Sequence, residues 1–110
     1  MAATATELRE AIDDFIQRLQ RGIRVEAVIL YGSHAHGNPD EWSDIDLAVI
    51  SPDFEGLRMP ERQRMVSRLT FERYHDIEPI GYPSSEYHDP GPHSFLREII
   101  RTGRVVYQAG

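Results

Sequence analysis

The chain has 110 residues, a net charge of −6 and no cysteine. Its length suits one domain around one core, read as residues 1–110, with no room for a separate substrate-binding domain. The acidic balance argues against general DNA or RNA binding, the missing cysteine removes disulfides and thiolate metal sites, and no apolar run approaches the roughly 20 residues of a membrane span.

The N-terminus, Met1 to Glu7, has neither a basic n-region nor an apolar h-region, so the expected location is the cytoplasm. Residues 5–21 predict an amphipathic helix. Leu8, Ala11, Ile12, Phe15, Ile16 and Leu19 recur at helical spacing, and Gly22 ends it. Residues 25–31 predict a first strand, residues 33–37 the start of a short helix, and Asn38-Pro39-Asp40 a turn within the loop 38–42. A second strand follows over 44–50. Residues 60–73 predict a helix with Pro60 in its first turn. Its apolar side is thin (Met65, Val66, Leu69), and Arg62, Arg64, Arg68 and Arg73 make a polar side expected to be solvated, with an acidic partner or the phosphates as the alternative. Residues 75–80 predict a third strand, with Pro79 suited to an edge or a strand end. Residues 81–92 read as a loop. Residues 93–102 predict a helix with Phe95, Leu96, Ile99 and Ile100 inward, Gly103 stops it, and 104–107 predict a last strand. Tyr74, Tyr82 and Tyr87 gather near the third strand, as loop packing or as a partner patch. The order gives an α/β fold, a mixed sheet flanked by helices.

The chemistry concentrates in residues 30–50. On a strand, side chains alternate faces, so Asp44 and Asp46 share one face while Ile45 and Leu47 enter the core. Their Cα atoms lie roughly 6–7 Å apart from the strand rise. Like charges that close raise each other's pKa unless a cation joins them, and Mg²⁺ is the fitting one: hard, oxygen-seeking, and shared between carboxylates and phosphates. Before them, Ala27–Tyr31 is apolar and β-prone and runs directly into Gly32, Ser33 and then Gly37. Glycine lets a backbone approach a phosphate, turn N–H groups favour an anion, and a serine hydroxyl adds a donor.

Gly32-Ser33, ten residues, then Asp44-Ile45-Asp46 resembles the signature of the polymerase-beta-like nucleotidyltransferase superfamily. It looks most like the small standalone minimal nucleotidyltransferases of prokaryotes, and Ser43–Leu47 closely matches their Ser-Asp-x-Asp-Leu. The resemblance covers most of the chain. It implies the nucleotidyltransferase fold, ATP as substrate, Mg²⁺ as metal, and transfer of AMP to a hydroxyl. Asp44 and Asp46 would be catalytic metal ligands, and Gly32, Ser33, Gly37 and Ser43 would hold the nucleotide. It also implies a third carboxylate on a later strand, for which Asp76 is chosen and Glu78 is the alternative.

Small standalone members are often encoded beside a helical HEPN-domain ribonuclease, act as its antitoxin, and in some cases add AMP to a tyrosine of that toxin. The resemblance therefore implies a HEPN-type partner and leaves a homo-oligomer open. His34 and His36 stand where family members often carry arginine. Histidine is mostly neutral at pH 7, and Asp40 and Glu41 add negative charge nearby. That departure supports an alternative, an antitoxin that acts by binding alone. A small-molecule nucleotidyltransferase ranks lower, because such enzymes usually carry an extra helical domain.

Overall fold

The computed structural model describes residues 5–32, 35, 44–70 and 76–110 of the chain. The elements are α1 (Ala5–Leu19), β1 (Ala27–Tyr31), β2 (Ile45–Ser51), a 3₁₀ turn (Pro52–Phe54), α2 (Met59–Thr70), β3 (Ile77–Pro83), α3 (Ser84–His88), α4 (Phe95–Thr102) and β4 (Arg104–Gln108). The four strands make one sheet in the order β3-β2-β1-β4. β2 is antiparallel to β1 and parallel to β3, and β4 is antiparallel to β1. The mixed sheet expected from the sequence is therefore present. A parallel pair needs a long crossover, and α2 supplies it between β2 and β3.

Strand alternation divides the apolar residues into two cores. On one face Val28, Leu30, Ile45, Leu47 and Val49 pack against Ile12, Phe15, Ile16 and Leu19 of α1 and Val66 of α2. On the other, Ala27, Ile29, Ala48 and Ile50 pack against Tyr82 and against Leu96 and Ile99 of α4. The thin apolar side read for α2 holds: Val66 is buried, and Met65 and Leu69 lie partly buried against the first core.

Three expectations need correction. The presumed loop 81–92 holds the end of β3 and all of α3. Gly81, Tyr82 and Pro83 stay in the sheet because β2 is long enough to pair them with Val49, Ile50 and Ser51. Phe95 and Ile100 do not both turn inward with Leu96 and Ile99; they are 57% and 38% exposed. An eight-residue helix seats only one narrow stripe on the sheet, and the residues flanking that stripe are left outside it. The arginine face of α2 is not wholly solvated either. Arg62 donates from Nε to Leu57 O (2.8 Å) and from Nη1 to Gly81 O (3.1 Å).

Beside it, Gln63 donates to Pro79 O (2.7 Å) and accepts from Gly81 N (3.2 Å). The amide thus hydrogen-bonds the edge of β3 as a neighbouring strand would. Pro79 lies in that edge strand, as its missing N–H requires. The short helix expected over 33–37 and the loop 38–42 lie outside the described residues apart from Ala35, as do residues 71–75, including Tyr74.

Helix α4 begins at a capped end: Ser94 Oγ accepts from Arg97 N at 3.1 Å. A Ser94→Ala variant is expected to lose about 1 kcal/mol, the usual cost of an N-cap. Urea denaturation checks this, and an unchanged midpoint would show that the cap contributes nothing.

Candidate active site

β1 ends at Tyr31, and Gly32 turns the chain with φ +77, a left-handed conformation that suits glycine. Its carbonyl accepts from Ala35 N at 3.1 Å. The bare Cα at Gly32 also makes room for a neighbour. A Cβ there would lie 2.5 Å from Asp46 Oδ2, so the Asp46 carboxylate reaches over the glycine backbone. Two residues read as separate halves of a site, the turn glycine and the second aspartate, are thereby in direct apposition.

The sheet register extends the arrangement sideways. Asp46 pairs with Tyr31 on β1 and with Glu78 on β3, so Tyr31, Asp46 and Glu78 form one row across three strands. By alternation with Leu47, Asp46 stands on the face that carries Ala48, Ile50 and α4. Asp46 is half-buried and Glu78 is exposed. One step towards the strand starts, Ile45 N donates to Asp76 O at 2.7 Å, which sets Asp76 beside Asp44; both are exposed. Asp76 precedes β3 rather than lying in it.

The row has an electrostatic signature. The Tyr31 phenol is pushed up to about 12, first by burial, then by the charges of Asp46, Tyr82 and Glu78. Tyr31 therefore stays protonated throughout the physiological range. Its place in the row depends on strand pairing; the alternation of β1 could have shown its face, but not its neighbours. Its ring meets that of Phe95 edge-on, with centroids 5.7 Å apart and planes at 85°. Tyr82 is buried, and burial raises its phenol as well. Tyr87 packs partly buried against the same core, so loop and core packing account for both.

All four acidic groups offer only oxygen donors, the set that a hard divalent cation takes. Among the described residues, no three histidine, aspartate or glutamate side chains already converge on one point. What the fold supplies is two adjacent levels of carboxylates, Asp44 with Asp76 and Asp46 with Glu78, beside a glycine whose missing side chain makes room for the Asp46 carboxylate. Ser33, Gly37 and Ser43, expected to hold the nucleotide, lie outside the described residues, as do His34, His36, Asp40 and Glu41. No helix among the described residues is long and apolar enough to cross a membrane.

Known proteins carry this architecture. A nucleotidyltransferase structure from Sulfolobus solfataricus superposes with a TM-score of 0.70 at 17% identity, covering 91% of this chain and 79% of that one. A toxin–antitoxin structure with AMP-PNP superposes with a TM-score of 0.60 at 19% identity, covering 92% of this chain and 73% of that one. At such identities the likeness is one of fold. In sequence, the chain is 31% identical over 67 residues to a Methanocaldococcus jannaschii protein named as a protein adenylyltransferase, a match covering 59% of this chain but 45% of that protein. It is 29% identical over 102 residues to a second protein of that organism with the same designation, covering 89% of this chain and 96% of the relative. The chain thus spans less than half the length of the first relative and nearly all of the second. The family model described as Polymerase beta, Nucleotidyltransferase matches residues 10–109, taking in the turn glycine, both aspartates and every strand, and the chain belongs to that family.

Proposed function

We propose that this nucleotidyltransferase moves AMP from Mg-ATP to a hydroxyl of a partner protein, a tyrosine of a HEPN-type helical toxin, and so acts as the antitoxin. The observation that carries the reading is the apposition of Gly32 and Asp46. The turn glycine of the expected phosphate loop lies against a carboxylate able to ligate the metal that a phosphate brings. The relatives named as protein adenylyltransferases support a protein acceptor, and the toxin–antitoxin neighbour supports a toxin as that protein. The chain's small size and acidic charge suit a protein acceptor better than a nucleic acid. The site of action is the cytoplasm.

In this reading Gly32, Ser33, Gly37 and Ser43 bind the nucleotide, and Asp44 and Asp46 would hold Mg²⁺. The metal, when bound, neutralises charge on the attacking and leaving oxygens of an in-line displacement. Asp76 would hold a second metal or take the proton of the acceptor hydroxyl. The acceptor oxygen bonds to the α-phosphorus, the bond from that phosphorus to the β-phosphate bridge breaks, and pyrophosphate leaves. Glu78 stands level with Asp46 and is the other candidate for the third carboxylate. Asp76→Ala and Glu78→Ala separate the two, because only loss of the true third carboxylate removes transfer.

The test is incubation with α-labelled ATP and Mg²⁺ in a lysate of the source cell, comparing wild type with Asp44→Ala. One protein band labelled only by wild type is expected. No label on protein, nucleic acid or small molecule would overturn the proposal in favour of an antitoxin that acts by binding alone.

A further inference from the structure

Resting on the AMP-transfer reading above, we infer that Phe95 is the platform on which the purine base of the nucleotide stacks, with the outer edge of the base in the hollow between α3 and α4.

Phe95 is the most exposed of the large apolar side chains described, at 57%. Stray exposed apolar residues are ordinary, but this ring has a defined position. It stands edge-on against Tyr31, and Tyr31 is the cross-strand neighbour of Asp46. The contact braces the ring and leaves more than half of it open. In a nucleotide one sugar separates the α-phosphate from the base. Phosphates at the Gly32 turn, with their metal on Asp46, thus set the base a short step from the carboxylate row, and Phe95 stands one side chain from that row.

Two hollows share Phe95 as a wall. The larger, about 550 Å³, is lined among the described residues only by the segment from Pro92 to Arg101, so it lies against the outside of α4, and the Glu98–Arg101 ion pair occupies its wall. The smaller, about 270 Å³, is lined by Tyr82 and Leu96, both buried, and by Glu86, Pro90 and Gly91. Tyr82 belongs to β3 and to the core under α4, so this hollow adjoins the sheet face that carries Asp46. Its walls are mostly apolar, with one phenol donor at Tyr82 and one carboxylate acceptor at Glu86. A few polar groups in an apolar hollow suit a flat heterocycle with hydrogen-bonding edges. A purine covers more of the Phe95 ring than a pyrimidine and reaches further into the hollow.

The acceptor comes from the other side. Attacking and leaving oxygens stand in line across the phosphorus. Pyrophosphate belongs at the Gly32 turn, on the β1 side of Asp46, whereas Glu78 and Asp76 lie on its β3 side. The acceptor hydroxyl therefore arrives over β3. Phe95, beside Tyr31 of β1, is left to the nucleotide.

Calorimetry reads the affinities of Mg-ATP, Mg-CTP and Mg-tripolyphosphate for wild type, Phe95→Ala, Phe95→Trp and Asp46→Ala. Wild type is expected to bind Mg-ATP more tightly than Mg-CTP. Phe95→Ala is expected to lose about tenfold for Mg-ATP, the scale of one base stacked on one aromatic ring, and nothing for Mg-tripolyphosphate. Phe95→Trp, which keeps a stacking face, is expected to retain wild-type affinity for Mg-ATP. Asp46→Ala is expected to weaken all three ligands alike.

A Phe95→Ala protein that binds Mg-ATP as wild type does would overturn the platform; if its transfer is slowed as well, the ring belongs to the acceptor. Equal losses for Mg-ATP and Mg-tripolyphosphate would overturn it too, since the ring then serves the phosphates or the fold. No binding of either by wild type would sink the transfer reading and the platform together. Transfer is scored separately with α-labelled ATP. A protein that binds Mg-ATP through Phe95 and labels nothing would remove the transferase and leave the platform standing.

Discussion

Replacing Asp46 with asparagine is expected to lower AMP transfer roughly 10²–10³-fold, the usual cost of removing one group that stabilises charge in a transition state. The substitution keeps the size and planarity of the side chain, so the half-buried position between Tyr31 and Glu78 stays filled. What disappears is the charge that, under the proposed function, would ligate a hard cation. A second readout separates this from misfolding. Asp46 is the largest of the neighbouring charges that raise the Tyr31 phenol, behind burial alone. Removing it lowers the pH at which Tyr31 ionises, and the change in the alkaline tyrosinate titration between wild type and variant, absent when both carry Tyr31→Phe, isolates that one of the five tyrosines. A variant that transfers AMP normally while the titration shifts would place Asp46 beside Tyr31 but outside the reaction.

Gly32→Val is expected to damage the fold and the site together. A side chain in the left-handed region costs about 1–2 kcal/mol, and more when it is β-branched. Its Cβ would also lie 2.5 Å from Asp46 Oδ2, so the carboxylate must swing away. Loss of about 2 kcal/mol or more in urea denaturation and of roughly 100-fold in transfer is the expected result. Gly56 supplies the control. It too has positive φ, +75, but a Cβ there meets nothing within 4 Å. Gly56→Ala should lose about 1–2 kcal/mol from strain alone and keep full transfer. If Gly32→Val and Gly56→Ala prove equal in activity, the turn at Gly32 is only a turn.

The parts of the site that were legible in the sequence are those set by local geometry. Alternation alone puts Asp44 and Asp46 on one face with Ile45 and Leu47 opposite; β2 buries Ile45 and Leu47 in one core and leaves Asp46 on the other face, while Asp44 precedes the strand. The missing N–H of Pro79 points to an edge strand, and β3 is one. Relations that depend on register were not legible. That Tyr31, Asp46 and Glu78 share a level follows from two strand pairings that a single sequence does not reveal. The same cause hid the end of β3: Gly81 and Pro83 carry turn chemistry, and only pairing with Val49 and Ser51 keeps them in the sheet. For α4, periodicity told which residues could face inward but not how deep each would go. Leu96 and Ile99 are buried while Phe95, on the same apolar arc, is not.

The Gln63 amide has a bearing on self-association. An open sheet edge is a template for another copy, and a chain with two open edges can polymerise. Here one edge of the sheet is plugged: Gln63 bonds Pro79 O and Gly81 N, and Arg62 bonds Gly81 O. The other edge is β4, where Val105 is 48% exposed. Strand-to-strand association through β4 would therefore use up its own growth point. Two copies could meet edge to edge, but a third would find only a side-chain amide where a strand should be, and so the sheet cannot seed a fibre from both ends.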